Sequence, residues 1–450
     1  MTAQIIDFPA GSAATPPIAQ FIRLDGAHTK IGELLAANRF PATRVVLDAS
    51  RTRHQKRLIE AFHENGIEVV LDPQVAELAS FIKFQGLARH APWGVHCEEV
   101  PLGPEHFAPG ARSDVIGQIA RFAVEHGFDA VLAPTHFLAD PRFSDWFDVD
   151  RRACIELRAA LDREGGTRIR IDYPVIHAHT ALTKADARSR LLDGLTDLPI
   201  DNLWVRASGL PSDARPLPTK QFLTAMASLH NLGKPVIVDH LNGLVANAAL
   251  AFGIASGKAH GIGERERFDA RNWHKPQGKE EEGTFRGRKV RIPVPGIGRT
   301  LTRAEIEVLA SARYGKRLVA CGDRSCCANG LADMIADPRR HQLHTGFEDL
   351  RHLAEVPALM RPRYFLDSPL NDAVRRAREI QRLKPNAADA ARCNVNIESL
   401  MRRMHEHTER LEKLHTTLEH HLEHQGGHGP RVRPAAGPRV SDHRTNQHAR

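Results

Sequence analysis

From residue 44 onward, short apolar, β-branched runs alternate with longer stretches in which apolar positions recur every three or four residues. RVVLDAS (44–50) leads into HQKRLIEAFHENG, and IEVVLDP (67–73) leads into QVAELASFIKF. After an irregular connection, VIGQIARFAVEHG precedes DAVLAPTH (129–136), and ACIELRAALDREGG precedes RIRIDYPVIHAH (168–179). The order returns in ARSRLLDGLTDLP before NLWVRASG (202–209), QFLTAMASLHNLG before KPVIVDHLNG (234–243), and ANAALAFGIASG before KAHGIGERE (258–266). RLVACG (317–322) is the last such run. The i, i+3, i+4 spacing marks the longer stretches as amphipathic helices, several ending at a glycine that accepts the left-handed C-cap conformation. The short runs are apolar throughout, as strands are when both faces of a parallel sheet are buried.

Strand and helix alternate about eight times between residue 44 and roughly residue 365, the count of a (β/α)8 barrel. A doubly wound open sheet competes, but no GxGxxG turn follows the first strand. The expected fold is α/β, a TIM-type (β/α)8 barrel over residues 44–392, after an N-terminal extension, 1–43. Residues 267–316 are too long for a βα loop and include a candidate hairpin, so they read as an insertion at the working face. Beyond residue 392, Ile397, Leu400, Met404, His407, Leu411, Leu414, Leu418 and His421 fall at alternating spacings of three and four. That is a heptad seam on a helix or coiled coil spanning 393–425. It would either pack on its own barrel or join subunits into a homo-oligomer.

Hydrophobic residues make up 42% and charged residues 26% of the 450, the proportions of a soluble globular protein. No run of eighteen apolar residues occurs, so no membrane span is expected, and the N-terminus has no secretory pattern. Of six cysteines, Cys97, Cys154 and Cys393 are isolated, which excludes a disulfide framework and points to a reducing cytoplasm. The net charge of +8 favours a polyanionic partner such as nucleic acid. Part of the excess lies in residues 426–450, with five Arg against one Asp, a basic tail expected to be disordered.

Barrel chemistry gathers at the carboxyl ends of the strands. Those ends carry Asp48, Asp72, His136, His177, His179, Arg206, Asp239, His240, Glu264 and Glu266. His177 and His179 lie two apart on one strand and project to the same side, as a metal-binding pair would. With Asp239 they suggest a metal-dependent hydrolase; the bland reading is a hydrogen-bonded histidine pair. Asp239 and the Glu264/Glu266 pair close consecutive strands, and two carboxylates there can divide nucleophile and acid/base roles. Surface ion pairs with Arg265 and Arg267 would look the same locally.

The segment CGDRSCCANGLADMIADPRRHQLH (321–344) holds three cysteines and two histidines three apart. Cys321 with Cys326 or Cys327, plus His341 and His344, would supply four-coordinate zinc with thiolate and imidazole. Ordinary reduced thiols are the other reading; the CxxC of a redox pair is absent. The expectation is a structural zinc clasp on Cys321, Cys326, His341 and His344.

A barrel followed by such a clasp and by HTGFEDLRHLAEVPAL resembles the queuine/archaeosine tRNA-ribosyltransferase (tRNA-guanine transglycosylase) family. That family's clasp is spaced CxCxxC with a distant His, against CxxxxCC and HxxH here. The resemblance implies glycosidic-bond chemistry on a nucleobase in nucleic acid, with a carboxylate nucleophile and a second carboxylate as acid/base. Asp239, Glu264 or Glu266 would attack or stabilise the sugar, Asp72 or Asp48 would move the proton, and Arg286, Arg288, Lys289 and Arg291 would contact phosphates. A non-catalytic scaffold recruiting partners through the heptad helix is the remaining alternative.

Overall fold

The computed structural model describes residues 18–97, 100–210, 215–263, 267–275, 291–424 and 432–438. Eight parallel strands close into a barrel in sequence order: β1 Ala19–Arg23, β2 Arg44–Asp48, β3 Glu68–Asp72, β4 Ala130–Leu132, β5 Arg170–Ala178, β6 Asn202–Ser208, β7 Val236–Asp239 and β8 Gly257–His260. The longer intervening helices are α1 His28–Ala36, α2 Lys56–Glu64, α3 Val115–Glu125, α4 Trp146–Arg163, α5 Ala185–Leu195, α6 Pro216–Ala227 and α7 Gly243–Ala251. The ring closes where β1 pairs with β8, from Ala19↔Gly257 to Ile22↔His260. A Cβ at Gly257 would stand 2.7 Å from the Ala19 carbonyl oxygen, so glycine is required at this seam.

Two strand assignments differ from the sequence reading. AQFIR, placed in the extension 1–43, is β1 and lies fully buried. RLVACG, read as the last strand, is instead the end of the short helix Gly315–Val319 and the irregular residues after it. Both are brief apolar runs without periodicity, where strand and buried helix look alike. The correction moves His177 from the fourth strand to the fifth.

Side chains fill the barrel in layers, because alternate strand residues point inward. The middle layer is apolar and includes Phe21, Val46, Val70, Leu132, Trp204 and Ile237. Two residues further along, the same face presents Arg23, Asp48, Asp72, Arg206 and Asp239, all buried. At the opposite end lie Arg44, Glu68, Arg170, Asp172 and Asn202; Arg170 pairs with Glu68. Residues 432–438, inside the segment expected to be disordered, cover that end. Ala435 packs against the inner apolar layer. The Ala436 N–H donates to Asn202 Oδ1 at 2.9 Å, and Arg44 Nη1 donates to the Ala436 carbonyl at 3.0 Å.

After β8 the chain builds a second apolar core. An antiparallel hairpin, β9 Arg291–Val294 and β10 Arg299–Thr302, leads into α8 Arg303–Ala310 through a Thr302/Glu305 capping box. Then come α9 Gly315–Val319, α10 Pro338–Glu355, α11 Asn371–Ile380 and α12 Ile397–His424. The α12 seam packs on its own chain: Leu411, Leu414 and Leu418 join the barrel's outer core, and Leu400 and Met404 join the second core. His407 Nε2 lies 2.8 Å from the Ile297 carbonyl, and the His421 ring packs near Phe252. The seam is therefore buried within one chain. Among the described residues, no helix is long and apolar enough to cross a membrane.

Candidate functional site

The same alternation that fills the barrel puts four charges at its carboxyl rim. In FIR, VLD, WVR and IVD, an apolar inward residue is followed two positions later by Arg23, Asp72, Arg206 and Asp239. Arg23 Nε and Nη2 donate to Asp239 Oδ1 and Oδ2 at 2.8 and 2.7 Å, and its Nη1 donates to Asp72 Oδ2 at 2.8 Å. Arg206 repeats the arrangement, with Nε donating to Asp239 Oδ2 and Nη2 to Asp72 Oδ2, both at 2.6 Å. Two carboxylates and two guanidiniums thus form a closed, neutral ring. A Gln74 N–H donates to Asp72 Oδ1 at 2.9 Å, with Gln74 held in the left-handed region.

Burial alone would raise both carboxyls. Arg206 and Arg23 beside Asp72, and Arg23, His240 and Arg206 around Asp239, instead hold both far below the ordinary carboxylate range. Each is therefore an ionised acceptor. A carboxylate held ionised in this way has no proton to donate near neutral pH, which leaves Asp72 the accepting half of the expected acid/base role.

His240 follows Asp239 directly. Its backbone N–H donates to Asp239 Oδ1 at 2.9 Å, and its φ of 56° lies in the left-handed region. It borders a small cavity with Asp239, Phe222 and Phe268. Phe268, whose ring lies 5.4 Å from that of His240, belongs to an apolar cluster with Ala76, Phe137, Ile176 and Ala270, flanked by Trp273. Residues 267–275 are tied to the barrel by several bonds, among them Gly209 N–H to Phe268 O (3.0 Å), Ala270 N–H to Ser208 Oγ (2.8 Å), Phe81 N–H to Trp273 O (3.1 Å) and the contact of His274 Nδ1 with Arg142 Nη2 (2.6 Å).

The other strand-end residues go elsewhere. Asp48 is buried on the inner face near Arg23. His136 is locked outside the ring: its Nδ1 lies 2.6 Å from Asp150 Oδ1 and its ring stacks on Trp146 at 3.7 Å. His177 shares the parity of Ile171, Tyr173 and Val175, which belong to the outer core, so it faces the helices. Burial and nearby Arg190 lower it to about 4. His179 opens the short helix His179–Leu182 beside Phe222. Among the described residues, neither histidine joins Asp239 in a metal-binding geometry. Glu264, Glu266, Arg286, Arg288 and Lys289 lie outside the described residues. Arg291 is described, and its guanidinium bonds to Thr300 across the hairpin. Arg23, which completes the ring, was missed because its strand was taken for an extension.

Cys321, Cys326, Cys327 and His341 form a second site, all buried, with ligand atoms within 4.8 Å of one another. The Cys326 and Cys327 sulfurs are 3.5 Å apart, and His341 Nδ1 lies 3.4 and 3.7 Å from them. A tetrahedron with metal–sulfur bonds near 2.3 Å has edges of about 3.8 Å, so these spacings suit one ion. His341 Nε2 lies 3.2 Å from the Pro293 carbonyl, the outward bond that fixes a liganding imidazole. Without an ion, burial pushes the Cys326 thiol up and the Cys327 thiol to about 11, and lowers His341 to about 4. Two corrections to the expected set follow. Cys327 joins Cys326 rather than replacing it, and His344 turns away, with its Nε2 2.9 Å from Asp323 Oδ2. The turn Asp323–Cys326, closed by bonds from Ser325 and Cys326 to Asp323, folds both thiols inward.

No protein-family model and no curated protein matches the chain. Among solved structures it is similar to KGPDC from Streptococcus mutans, with a TM-score of 0.33 at 11% identity over 58% of this chain and 94% of that one. It is also similar to the Penicillium canescens endo-1,4-beta-xylanase XylE, with a TM-score of 0.34 at 12% identity over 55% of this chain and 82% of that one. The barrel itself stands on the strand pairing described above.

Proposed function

We propose that this chain is a β/α-barrel enzyme of the glycosyl-transfer class, acting on the bond between a sugar and a nucleobase in nucleic acid. One observation carries the reading: Asp72 and Asp239, from β3 and β7, meet at the carboxyl rim on two shared guanidiniums. A carboxylate that attacks an anomeric carbon, or stabilises positive charge growing on the sugar, must be ionised. Arg23 and Arg206 keep both carboxylates in that state and fix their direction.

Asp239 is the better nucleophile candidate, because His240 beside it can pass a proton to the departing base. Asp72 then balances charge. Phe137, Phe268 and Trp273 offer planar faces against which a base could stack. Glu264 and Glu266 precede that segment and remain candidates for the same chemistry. Arg286, Arg288, Lys289 and Arg291 would meet phosphates.

The Cys321, Cys326, Cys327 and His341 set fits structural zinc. A bound ion would cross-link the loop after α9 to α10 and take no part in the reaction.

The test is incorporation of radiolabelled guanine into RNA and DNA oligonucleotides by the full-length protein. Incorporation should fall at least ~100-fold in Asp239→Asn and weaken steeply with salt. No incorporation into either polymer, or an undiminished Asp239→Asn enzyme, would refute the assignment.

A further inference from the structure

A surface concavity lies away from the ring, between the α8–α9 corner and the end of α11. It has a volume of about 530 Å³ and is walled by Arg313, Tyr314, Arg317, Glu379, Arg382 and Lys384, with two leucines. Three features set it apart. Tyr314 is 64% exposed, yet its backbone sits at φ 64°, a left-handed conformation that is costly for a bulky aromatic residue. Arg313 braces the ring, its Nη2 donating to the Tyr314 hydroxyl at 2.9 Å and its guanidinium lying 4.9 Å from the ring centroid.

The second feature is charge. Among the described residues, Arg317, Arg382 and Lys384 carry no side-chain ion pair. That departs from the local habit: on the adjoining α11, Arg375 pairs with Asp372 and Arg378 with Glu412. Unpaired cations gathered on both banks of one hollow repel one another unless an anion lies between them. The third feature is the lone carboxylate, Glu379, among four cations.

We propose that this groove is a binding site for a nucleoside di- or triphosphate. Its volume suits one small ligand rather than a strand, and strand-binding surfaces carry a succession of aromatics. The base stacks on Tyr314, held out in advance by its backbone. The phosphates lie among Arg317, Arg382 and Lys384, and Glu379 accepts from a ribose hydroxyl. This site is built from elements other than the rim ring and does not depend on glycosyl transfer.

Calorimetry on the full-length protein tests it, with adenosine triphosphate, adenosine diphosphate, adenosine, tripolyphosphate and a single-stranded DNA 12-mer as probes. The nucleotides should bind, with adenosine and tripolyphosphate each at least roughly ten-fold weaker. Tyr314→Ala should weaken the nucleotides about 5- to 100-fold. Arg382→Glu with Lys384→Glu should abolish binding while the thermal midpoint holds, so the conclusion does not rest on the Tyr314 turn alone. Tripolyphosphate binding as tightly as the triphosphate, Tyr314→Ala leaving affinity unchanged, or the 12-mer outcompeting the nucleotides would each overturn the proposal.

Discussion

Arg23 and Asp239 are joined by two parallel bonds, Nε to Oδ1 at 2.8 Å and Nη2 to Oδ2 at 2.7 Å, although β8 stands between their strands. A bond of this fork type fixes both the distance and the plane of the partner. It also makes the barrel's closing strand dependent on charge. Replacing Arg23 with Met leaves two buried carboxylates facing the single guanidinium of Arg206. The expected cost is about 3–5 kcal/mol, read as a lower urea midpoint. Arg23→Lys should recover only part of it, because one ammonium cannot reproduce the fork that holds Asp239 while also reaching Asp72. Equal midpoints for wild type and Arg23→Met would show that the ring contributes nothing to the fold.

The sequence made the barrel legible because its central strands are apolar on both faces and its helices are strongly periodic. Asp48, Asp72, Arg206 and Asp239 were legible for a related reason: each stands two residues beyond an apolar inward position at a strand end. Arg23 follows the same rule after Phe21, but a five-residue run behind the Pro/Ala-rich start offered no helix before it to announce a strand. The direction of His177 is a matter of strand parity, which residue type does not reveal. Residues 176 and 178 face inward with 170 and 172, and an odd position on β5 faces the helices whatever its chemistry. The cysteine set could be read as donors but not as geometry, since only the folded turn shows that adjacent Cys326 and Cys327 both point in and that His344 prefers Asp323.

The metal set separates cleanly by substitution. Purified protein should carry one zinc per chain, and Cys321→Ser, Cys326→Ser, Cys327→Ser and His341→Ala should each lose it. His344→Ala should keep it, because that ring bonds to Asp323 outside the cluster. Chelation should lower the melting temperature, since an ion that binds only the folded chain adds its binding free energy to stability. Metal lost from His344→Ala but kept in Cys327→Ser would reverse the ligand assignment.

Asp172 gives stability a pH dependence of unusual sign for an aspartate. Burial pushes its carboxyl up to about 7, against the pull of Arg170 and the bonds from Asn202 Nδ2 and Trp204 Nε1, both at 2.9 Å. The folded chain keeps this proton to about pH 7, while the unfolded chain releases it near an ordinary carboxylate pKa of about 3.9. Over that window the folded state binds more protons, so this contribution to stability falls as pH rises and levels off above the folded pKa. Buried histidines act oppositely: His260, lowered to about 3 by burial and by Lys258, favours folding as pH rises. The prediction is therefore a difference between proteins. The melting temperature of Asp172→Asn minus that of wild type should grow from pH 5 to pH 8, by on the order of 2–4 kcal/mol in stability. A constant difference would mean that Asp172 is ionised in the fold throughout.

Residues 432–438 close the end of the barrel opposite the ring, and their hold is specific. Ala435 meets the inner apolar layer, and Ala436 spends its N–H on Asn202 and its carbonyl on Arg44. Without the segment, the Asn202 carboxamide oxygen and the Arg44 donor face water, and the layer that includes Phe21 and Trp204 loses its cover. Deleting residues 431–450 should lower the urea midpoint by the equivalent of about 1–3 kcal/mol. Ala435→Asp should do the same in the full-length chain, since it sets a carboxylate at an apolar contact. If both proteins unfold at the wild-type urea concentration, the docked segment is a passenger and the barrel's lower end is stable without it.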